Sequence, residues 1–243
     1  MDKEYILILG ASSGIGRDAA EYLNSKGKNI VLVGRNSSRL EQISSSLNGE
    51  NFWLSYDLFD VSNIKSIFDF TSQRNIKFSG MVYTAGYAEL MPIKINPIEN
   101  TLNMLNVNAN AFLEAGKYFC RKKYSVDGAK IVAISSIEAE LKEKGFVSYS
   151  ASKNLLEVYV KILAKENVSR GICVNAIRPA NVRTPMYTNA IEIDNTLEDN
   201  YLKKQPLGII DVRQVTYLID FLLSDKGKYM TGEYVDISAG WSV

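Results

Sequence analysis

The sequence contains no histidine at all. A Ser-His-Asp triad, a Cys-His pair and a His-ligated metal all require this side chain, so these three kinds of catalytic centre are excluded. Only two cysteines are present, Cys120 and Cys173, far apart in the sequence and without a Cys-x-x-Cys motif. This pattern predicts two reduced cysteines in a cytoplasmic protein, and neither a disulfide framework nor a zinc site.

A strong net charge and long hydrophobic runs are also missing. The 28 Lys and Arg residues nearly balance the 27 Asp and Glu residues, which leaves a formal net charge of +1. Such a chain has no general attraction for nucleic acid or anionic membranes, so a small molecule is the predicted partner. No apolar stretch approaches the ~18 residues that a membrane span requires. The first residues also lack the apolar core of a signal peptide.

What the chain does contain is a regular alternation of short aliphatic runs with longer segments of helical periodicity. With 243 residues and 46% hydrophobic content, it can bury one sizeable core, so we expect one domain over 1–243. Strands are predicted over 5–9, 29–33, 52–55, 80–84, 130–135, 172–177 and 234–237. Apolar stripes with helical periodicity predict helices over 37–47, 61–73, 98–124, 152–167 and 212–223. The segment after residue 14 shows the same kind of stripe.

This alternation predicts an α/β fold, a single doubly wound Rossmann-type domain whose seven-stranded parallel sheet carries helices on both faces. In such a fold the ligand crevice lies beyond the carboxyl ends of the strands, so the loops after the strands are where chemistry is expected. The segment 184–205 is the least regular stretch of the sequence. We predict that it forms a mobile lid over the substrate.

A glycine-rich stretch, GASSGIG at residues 10–16, follows the first predicted strand and opens the first amphipathic helix. Its first five residues satisfy G-x-S-x-G, the turn that exposes a hydrolase's nucleophilic serine, which would be Ser12. Its three glycines also resemble, with altered spacing, the loop that places a dinucleotide pyrophosphate on a helix N-terminus. Because the chain has no histidine to serve as the base for Ser12, the phosphate-binding interpretation is favoured.

The residues after the second strand bear on which dinucleotide is bound. A carboxylate at this position normally bonds the adenosine ribose 2′-hydroxyl of NAD. Here the sequence is Gly34-Arg35-Asn36, and Arg35 can instead pair with a 2′-phosphate through charge-assisted hydrogen bonds. NADP(H) is therefore favoured over NAD(H). The alternative is that Arg35 is an ordinary solvated surface charge.

A second group of reactive residues lies more than a hundred positions further on. Ser136 follows the fifth strand, and Tyr149 and Lys153 occupy positions i and i+4 of a predicted helix, on one face. Tyrosine has a reference pKa near ~10, and a nearby ammonium group favours its phenolate. Such a tyrosine can give a proton to a carbonyl oxygen, or remove one from an alcohol, while a nicotinamide carries the hydride.

Taken in order, these motifs resemble the classical short-chain dehydrogenase/reductase family over essentially the whole chain. The resemblance implies an oxidoreductase without a metal, with four catalytic residues. Tyr149 is then the acid/base, Lys153 lowers its pKa and holds the nicotinamide ribose, Ser136 polarises the substrate carbonyl, and Asn108 supports a proton-relay water. Asn108 considered alone is equally compatible with a helix cap or kink.

The resemblance also implies which residues contact the cofactor: Gly10, Ser12, Ser13, Gly14, Ile15, Gly16, Arg35, Asp57, Leu58, Ala85, Gly86, Tyr149, Lys153, Pro179, Val182 and Thr184. Members of the family are commonly homo-oligomers. The resemblance therefore implies a tetramer or a dimer, built through the helices that start near Asn108 and Tyr149.

The sequence departs from the family pattern in two places that matter. Tyr83-Thr84 replaces a usual pair of asparagines, so hydrogen bonds that tie the central strands together must come from elsewhere. The charged stretch 138–144 lies between Ser136 and Tyr149, where small residues are common. Either this stretch is a solvated face, or Glu138 or Glu140 faces the pocket and disfavours anionic substrates.

Two classes of function remain open at this point. One is a ketone reductase or alcohol dehydrogenase that uses NADP(H), of the 3-oxoacyl-carrier-protein or the sugar and polyol type. The other is a nucleotide-binding sensor or scaffold of the same fold without turnover. Simple cofactor binding does not require Ser136 and Tyr149, so their presence favours the enzyme.

Overall fold

A computed structural model describes residues 3–241, and within them one parallel sheet has seven strands. The strands are β1 (Tyr5–Leu9), β2 (Asn29–Gly34), β3 (Phe52–Ser55), β4 (Phe78–Tyr83), β5 (Ser125–Ile134), β6 (Cys173–Pro179) and β7 (Tyr234–Ile237). Their spatial order is β3-β2-β1-β4-β5-β6-β7, and every neighbouring pair is parallel. The predicted fold is confirmed, with all seven strands at their expected places.

Helices cover both faces of this sheet. They are α1 (Gly14–Ser25), α2 (Ser37–Ser46), α3 (Lys65–Ser72), α4 (Ile98–Leu105), α5 (Ala111–Phe119), α6 (Glu138–Leu141), α7 (Val147–Asn167), α8 (Pro185–Ile193), α9 (Thr196–Lys204) and α10 (Val212–Leu223). Helices α1, α2 and α10 pack on one face, and α3, α5 and α7 pack on the other. None of the helices between residues 3 and 241 is long and apolar enough to cross a membrane.

Strand β1 shows why the sheet is covered on both sides. Ile6 and Ile8 contact the α1, α2 and α10 layer, whereas Leu7 and Leu9 contact the opposite layer. All four side chains are buried. Because successive strand residues point to opposite faces, a strand that is apolar at every position needs helices on both sides.

The segment 184–205 is more regular than the sequence suggests, because α8 and α9 occupy most of it. Thr184 is the N-cap of α8: its Oγ1 accepts a hydrogen bond from the Tyr187 amide at 3.4 Å, and Pro185 follows in the first turn. A threonine cap followed by proline is a favourable helix start. The low regularity of the sequence pattern therefore does not extend to the backbone, and the role of this segment as a lid stays a prediction.

The long helix predicted over 98–124 is also divided. A π-helical segment, Asn106–Asn110, separates α4 from α5, and α5 ends at Phe119. Segments of this kind inside α-helices are rare and frequently occur at functional sites. This one places Asn108 in the middle of the interruption.

The order of the strands locates the ligand crevice. The chain proceeds outward from β1 through β2 to β3 on one side, and from β4 through β5 and β6 to β7 on the other. Loops that leave the carboxyl ends of β1 and β4 diverge at this switch point, which opens a crevice between them. The glycine-rich stretch follows β1 at this edge.

Candidate active site

The glycine-rich stretch packs so closely against its surroundings that larger residues do not fit. At Gly10, where φ is 93°, an added Cβ would lie 2.6 Å from the Ala85 amide nitrogen. At Gly16 it would lie 2.3 Å from the Gly10 carbonyl oxygen. Gly14 has a φ of 54°, and its Cβ would lie 3.6 Å from the Thr184 side chain. The loop is thus enclosed by the segments that follow β4 and β6.

This loop fits a dinucleotide phosphate. Helix α1 begins at Gly14, so its first amide groups are available to an anion. Ser13 is the N-cap, yet its side chain makes no capping hydrogen bond. Within residues 3–241, the hydroxyls of Ser12 and Ser13 have no protein partner, and Ile15 packs partly buried against the α1 layer. The free donors therefore face the place where a pyrophosphate is expected.

Thr84 supplies the hydrogen bonds that the missing asparagines would have provided. Its Oγ1 donates to the carbonyl oxygens of Leu9 at 3.0 Å and of Gly10 at 3.2 Å. The hydroxyl therefore ties the end of β4 to the start of the glycine-rich loop. Tyr83 reaches the other way, and its hydroxyl donates to the Val107 carbonyl oxygen beside Asn108.

Replacing Thr84 by valine, which keeps the shape and removes the hydroxyl, is expected to lower the free energy of unfolding by about 1 kcal/mol, the net value of a typical hydrogen bond. Urea denaturation measures this change. Thr188→Val, on the exposed surface of α8, is the control and is expected to change stability by less than about 0.5 kcal/mol. Equal effects of the two substitutions would show that the Thr84 hydroxyl contributes no special stability.

A basic cleft opens beside the glycine-rich loop, at the ends of β1 and β2. It has a volume of about 490 Å³ and is lined by Ser12, Ser13, Arg35, Asn36 and Arg39. The Asn36 side chain caps α2 by accepting a hydrogen bond from the Arg39 amide at 2.9 Å. This cap places both exposed arginines at one helix N-terminus, which itself favours anions.

The sequence pattern indicated Arg35 as a phosphate-binding residue but not Arg39. Arg39 follows Arg35 by four residues and falls in the first turn of a helix that begins at Ser37. Side chains at this spacing lie on one helical face, but Arg35 precedes the helix. Only the structure shows that the two guanidinium groups line one cleft.

The Asp57-Leu58 pair follows β3, next to this cleft. The Tyr56 amide donates to the Gly34 carbonyl oxygen at 2.8 Å, which holds the end of β3 beside that of β2. Asp57 is exposed, and one of its carboxylate oxygens accepts a hydrogen bond from the Phe59 amide at 3.1 Å. Leu58 is buried in the core. Both residues therefore lie at the carboxyl edge of the sheet beside the cleft, and their contact with the cofactor stays a prediction.

Ser136 and Tyr149 meet at the end of β5. The Ser136 hydroxyl oxygen accepts a hydrogen bond from the Glu138 amide at 3.2 Å. Burial raises the pKa of Tyr149 to about 12. The charge of Glu138 also raises this pKa, whereas a hydrogen bond with Ser136 lowers it. The adjacent Ser135 points to the other side of the strand and donates to Glu157 at 2.6 Å.

Lys153 lies one helical turn after Tyr149 and is 4% exposed. Its Nζ donates to the Ile134 carbonyl oxygen at 2.9 Å and lies 5.6 Å from the centroid of the Tyr149 ring. Burial lowers the pKa of Lys153 to about 8, and the carboxylate of Glu157 opposes this change. The ammonium group is thus held beside the tyrosine by the backbone of β5.

Asn108 is completely buried and joins two walls of the crevice. Its Nδ2 donates to the Tyr87 carbonyl oxygen and to Ser152 Oγ, both at 2.9 Å, and its Oδ1 accepts from the Tyr87 amide at 3.0 Å. An added Cβ at Gly86 would lie 3.1 Å from this Oδ1 and 3.4 Å from Lys153 Nζ. The segment Ala85-Gly86 therefore passes between Asn108 and Lys153.

The segment after β6 forms the opposite wall. The Pro179 carbonyl oxygen accepts a hydrogen bond from the Ile137 amide at 3.1 Å. Val182 pairs with Ile210 in an isolated bridge, and Thr184 Oγ1 donates to the Val182 carbonyl oxygen at 3.2 Å. These contacts hold the three residues expected on the nicotinamide side, Pro179, Val182 and Thr184, across from the glycine-rich loop.

The charged stretch 138–144 is only partly a solvated face. Glu140 is exposed and lies 3.7 Å from Arg178. Glu138 is 5% exposed, and its Oε2 accepts a hydrogen bond from the Glu143 amide at 3.1 Å. Burial raises the pKa of Glu138 above its ordinary value. Glu140 is therefore solvated and Glu138 is buried. That Glu138 faces the pocket stays a prediction.

Comparisons with known proteins agree with this geometry. A family model described as enoyl-(acyl carrier protein) reductase matches residues 10–242. The 3-oxoacyl-[acyl-carrier-protein] reductase FabG of Rickettsia prowazekii is 29% identical over 96% of this chain and 95% of its own length. Gluconate 5-dehydrogenase of Gluconobacter oxydans is 26% identical over 98% of this chain and 94% of its own.

A solved structure is similar over almost the whole chain. A short-chain type dehydrogenase/reductase from Mycobacterium ulcerans superposes with a TM-score of 0.91 at 26% identity, and the match covers 99% of this chain and 90% of that one. No group of three or more acidic or cysteine side chains among residues 3–241 is arranged to hold a metal ion. The chain belongs to the classical short-chain dehydrogenase/reductase family of NAD(P)-dependent oxidoreductases.

Proposed function

We propose that this protein transfers a hydride between NADP(H) and a carbonyl compound or the corresponding secondary alcohol, with Tyr149 as the proton donor and acceptor. The observation that carries the proposal is the meeting of Ser136, Tyr149 and Lys153 at the carboxyl edge of the sheet, across the crevice from the glycine-rich loop. A protein that only binds a nucleotide has no use for this group. Relatives that reduce 3-oxoacyl groups or oxidise gluconate carry related chemistry.

The roles of the side chains follow from their contacts. When bound, the nicotinamide supplies or accepts the hydride. Ser136 accepts from the Glu138 amide, so its own proton can point to the substrate oxygen and polarise the carbonyl. Tyr149 gives its proton to that oxygen during reduction. The ammonium group of Lys153 stabilises the phenolate that remains.

In this proposal, Asn108 positions other parts of the site. Both of its amide protons and one lone pair are used within the protein, so the side chain holds the loop after β4 against α7. This leaves its backbone as the part that can support a proton-relay water. Replenishment of the Tyr149 proton through Lys153 then needs Gly86 to stay small, because a side chain at Gly86 would contact Asn108 Oδ1 and Lys153 Nζ.

The choice of cofactor rests on the basic cleft. Arg35 and Arg39 line it together with two serine hydroxyls, and the first turn of α2 opens into it. A ribose 2′-phosphate carries about two negative charges near neutral pH and matches this set of donors. A ribose 2′-hydroxyl matches it poorly, because no carboxylate lines the cleft. We therefore infer a preference for NADPH over NADH.

Replacing Arg35 by alanine is expected to weaken NADPH binding by about 1.5–3 kcal/mol, because a charge-assisted pair with the phosphate is lost. Binding of NADH is expected to stay nearly unchanged. Titration of nicotinamide fluorescence measures both affinities. Arg17→Ala, an exposed arginine on the outer face of α1 that pairs with Glu21, is the control. Equal losses for both cofactors in Arg35→Ala would contradict the phosphate assignment.

The proposed activity is tested directly by mixing the purified protein with NADPH and a panel of ketones and following NADPH absorbance. Oxidation of NADPH that depends on the ketone is the expected result. Tight NADPH binding without turnover of any ketone, or of any secondary alcohol with NADP⁺, would favour the sensor or scaffold instead.

We further propose a homo-oligomer built through α5 and α7. Val158 and Ile162 on α7 are 50% and 45% exposed, and a surface cleft of about 470 Å³ between the two helices is lined in part by Leu113 and Leu163. Apolar helix surface of this kind is typical of subunit interfaces. Light scattering of the wild type and of Ile162→Glu tests the assembly, and a monomeric wild-type protein would contradict it.

A further inference from the structure

Glu138 is buried two residues after the proposed carbonyl-polarising serine. Its amide donates to Ser136 Oγ at 3.2 Å, so the two residues share one tight turn. The side chain is 5% exposed. A carboxylate is costly to bury without partners, so its position requires a structural or a functional reason.

The backbone around Glu138 is held from three sides. The Ile137 amide donates to the Pro179 carbonyl oxygen at 3.1 Å, which joins α6 to the end of β6. Asn154 Nδ2 on α7 donates to the Ala139 carbonyl oxygen at 2.7 Å. The Glu143 amide binds Glu138 Oε2 at 3.1 Å. The carboxylate therefore keeps a fixed place relative to Tyr149, whose helix carries Asn154.

The charge of Glu138 is only weakly compensated. Within residues 3–241, the Glu143 amide is the one hydrogen-bond donor to this carboxylate, and no cation lies within 4.0 Å of it. Lys204 on α9 lowers the pKa of Glu138 from a distance, but its Nζ pairs with Glu143. Oxygen Oε1 is left without a protein partner.

The same carboxylate lies within electrostatic range of both sides of the crevice. Burial raises the pKa of Tyr149 on α7 and that of Tyr201 on α9, and the charge of Glu138 adds to both rises. Tyr201 packs between Tyr187 and Trp241, with ring centroids 6.0 and 6.2 Å away. The charge of Glu138 thus acts both on the proposed proton donor and on a residue of α9.

We propose that Glu138 determines the substrate class of this enzyme: it accepts a hydrogen bond from a hydroxyl or ammonium group of the substrate and disfavours substrates with a carboxylate near the reacting carbon. The inference rests on the proposed carbonyl reductase function. A substrate hydroxyl satisfies Oε1, whereas a substrate anion meets a like charge in a place that water reaches poorly. Neutral polyhydroxy ketones and amino ketones are therefore preferred over oxo acids.

The test compares three small methyl ketones that differ in one end group: hydroxyacetone, acetoacetate and aminoacetone. The ratio of kcat/KM values is measured with NADPH for the wild type and for Glu138→Gln, at neutral pH so that aminoacetone and Lys153 carry their protons. Intrinsic differences in ketone reactivity cancel when the kcat/KM ratio of the variant is divided by that of the wild type. Glu140→Gln, on the exposed side of the same short helix, is the matched control.

In Glu138→Gln, kcat/KM for acetoacetate relative to hydroxyacetone is expected to rise about tenfold, and kcat/KM for aminoacetone relative to hydroxyacetone to fall about tenfold. Unit charges several ångströms apart predict effects of this size at an effective dielectric constant near 20. Glu140→Gln is expected to leave all ratios within about twofold. A thermal melt and NADPH titration of each variant verify that fold and cofactor binding are retained. If Glu138→Gln does not fold, Glu138→Asp, which withdraws the charge by one methylene, is expected to shift the ratios in the same direction.

The two possible failures are distinguishable. Turnover of the ketones with ratios unchanged by Glu138→Gln, or changed equally by Glu140→Gln, overturns the present inference and leaves the reductase function standing. Absence of turnover of every ketone and alcohol by the wild type, despite NADPH binding, refutes the proposed function and this inference with it.

Discussion

Replacing Tyr149 by phenylalanine is expected to lower kcat by about 10²–10⁴-fold, the usual contribution of a general acid or base. The substitution removes only the hydroxyl that interacts with Ser136, and the ring keeps its place against Phe146, with centroids 6.2 Å apart. Binding of NADPH is expected to change by less than about threefold, because the charged cofactor groups contact the other end of the crevice. Stopped-flow measurement of hydride transfer and fluorescence titration give the two values.

The matched control is Tyr159→Phe on the same helix. The Tyr159 hydroxyl donates to Asn110 at 3.1 Å and lies three helical turns from the crevice, so its loss affects local stability only. We expect this variant to keep kcat within about twofold. If Tyr149→Phe kept wild-type turnover, the proton would have to come from another group, and the proposed mechanism would be wrong.

Replacing Lys153 by methionine is expected to lower the rate of reduction at neutral pH by about 10²-fold or more, because the developing phenolate loses its neighbouring cation. Methionine preserves most of the buried aliphatic stem of the lysine, so packing changes little. The lost hydrogen bond to the Ile134 carbonyl oxygen adds a smaller local effect. Steady-state kinetics with NADPH and a reducible ketone measure the loss.

The pH profile separates the charge of Lys153 from a merely structural role. Because burial lowers the pKa of Lys153 to about 8, its ammonium is present below that pH and is lost as the pH rises. Tyr149, with a pKa of about 12, stays protonated over the same range. The wild-type rate of reduction is therefore expected to fall above about pH 8, and this limb is expected to vanish in Lys153→Met, which moves the optimum upward.

Lys165→Met, on the exposed face of the same helix, is the control and is expected to keep the wild-type profile. An alkaline limb that persists unchanged in Lys153→Met would assign the titration to another group. In that case Tyr149 would owe its reactivity to Ser136 and the surroundings of the crevice.

Much of the fold could be read from the sequence because each strand of a doubly wound sheet is locally marked. The strands appear as short aliphatic runs, and the helices between them show one apolar stripe. The exceptions are informative. The division of the predicted helix over 98–124 by the Asn106–Asn110 segment has no periodic signal. Asn108 at its centre bonds to Tyr87 and Ser152, which are distant in the sequence.

Among the site residues, those with fixed spacing were the easiest to identify. Tyr149 and Lys153 lie four positions apart on one helix, and the glycines follow one strand directly. Arg39 was missed because an arginine in the first turn of a surface helix is indistinguishable from any solvated charge. Its place in the cleft depends on how β1 and β2 lie side by side, which no local pattern encodes.

The sequence by itself determined the exclusion of histidine chemistry, the doubly wound sheet and the set of residues able to move a proton at a carbonyl. These depend on residue type, order and period, all of which are local properties. Only the tertiary structure decided that Glu138 is buried next to Ser136 while Glu140 is solvated, and that Thr84 replaces the missing asparagines. Burial and hydrogen-bond partners depend on segments far apart in the chain, such as α7 and β6 around Glu138, and are set when the whole sheet assembles.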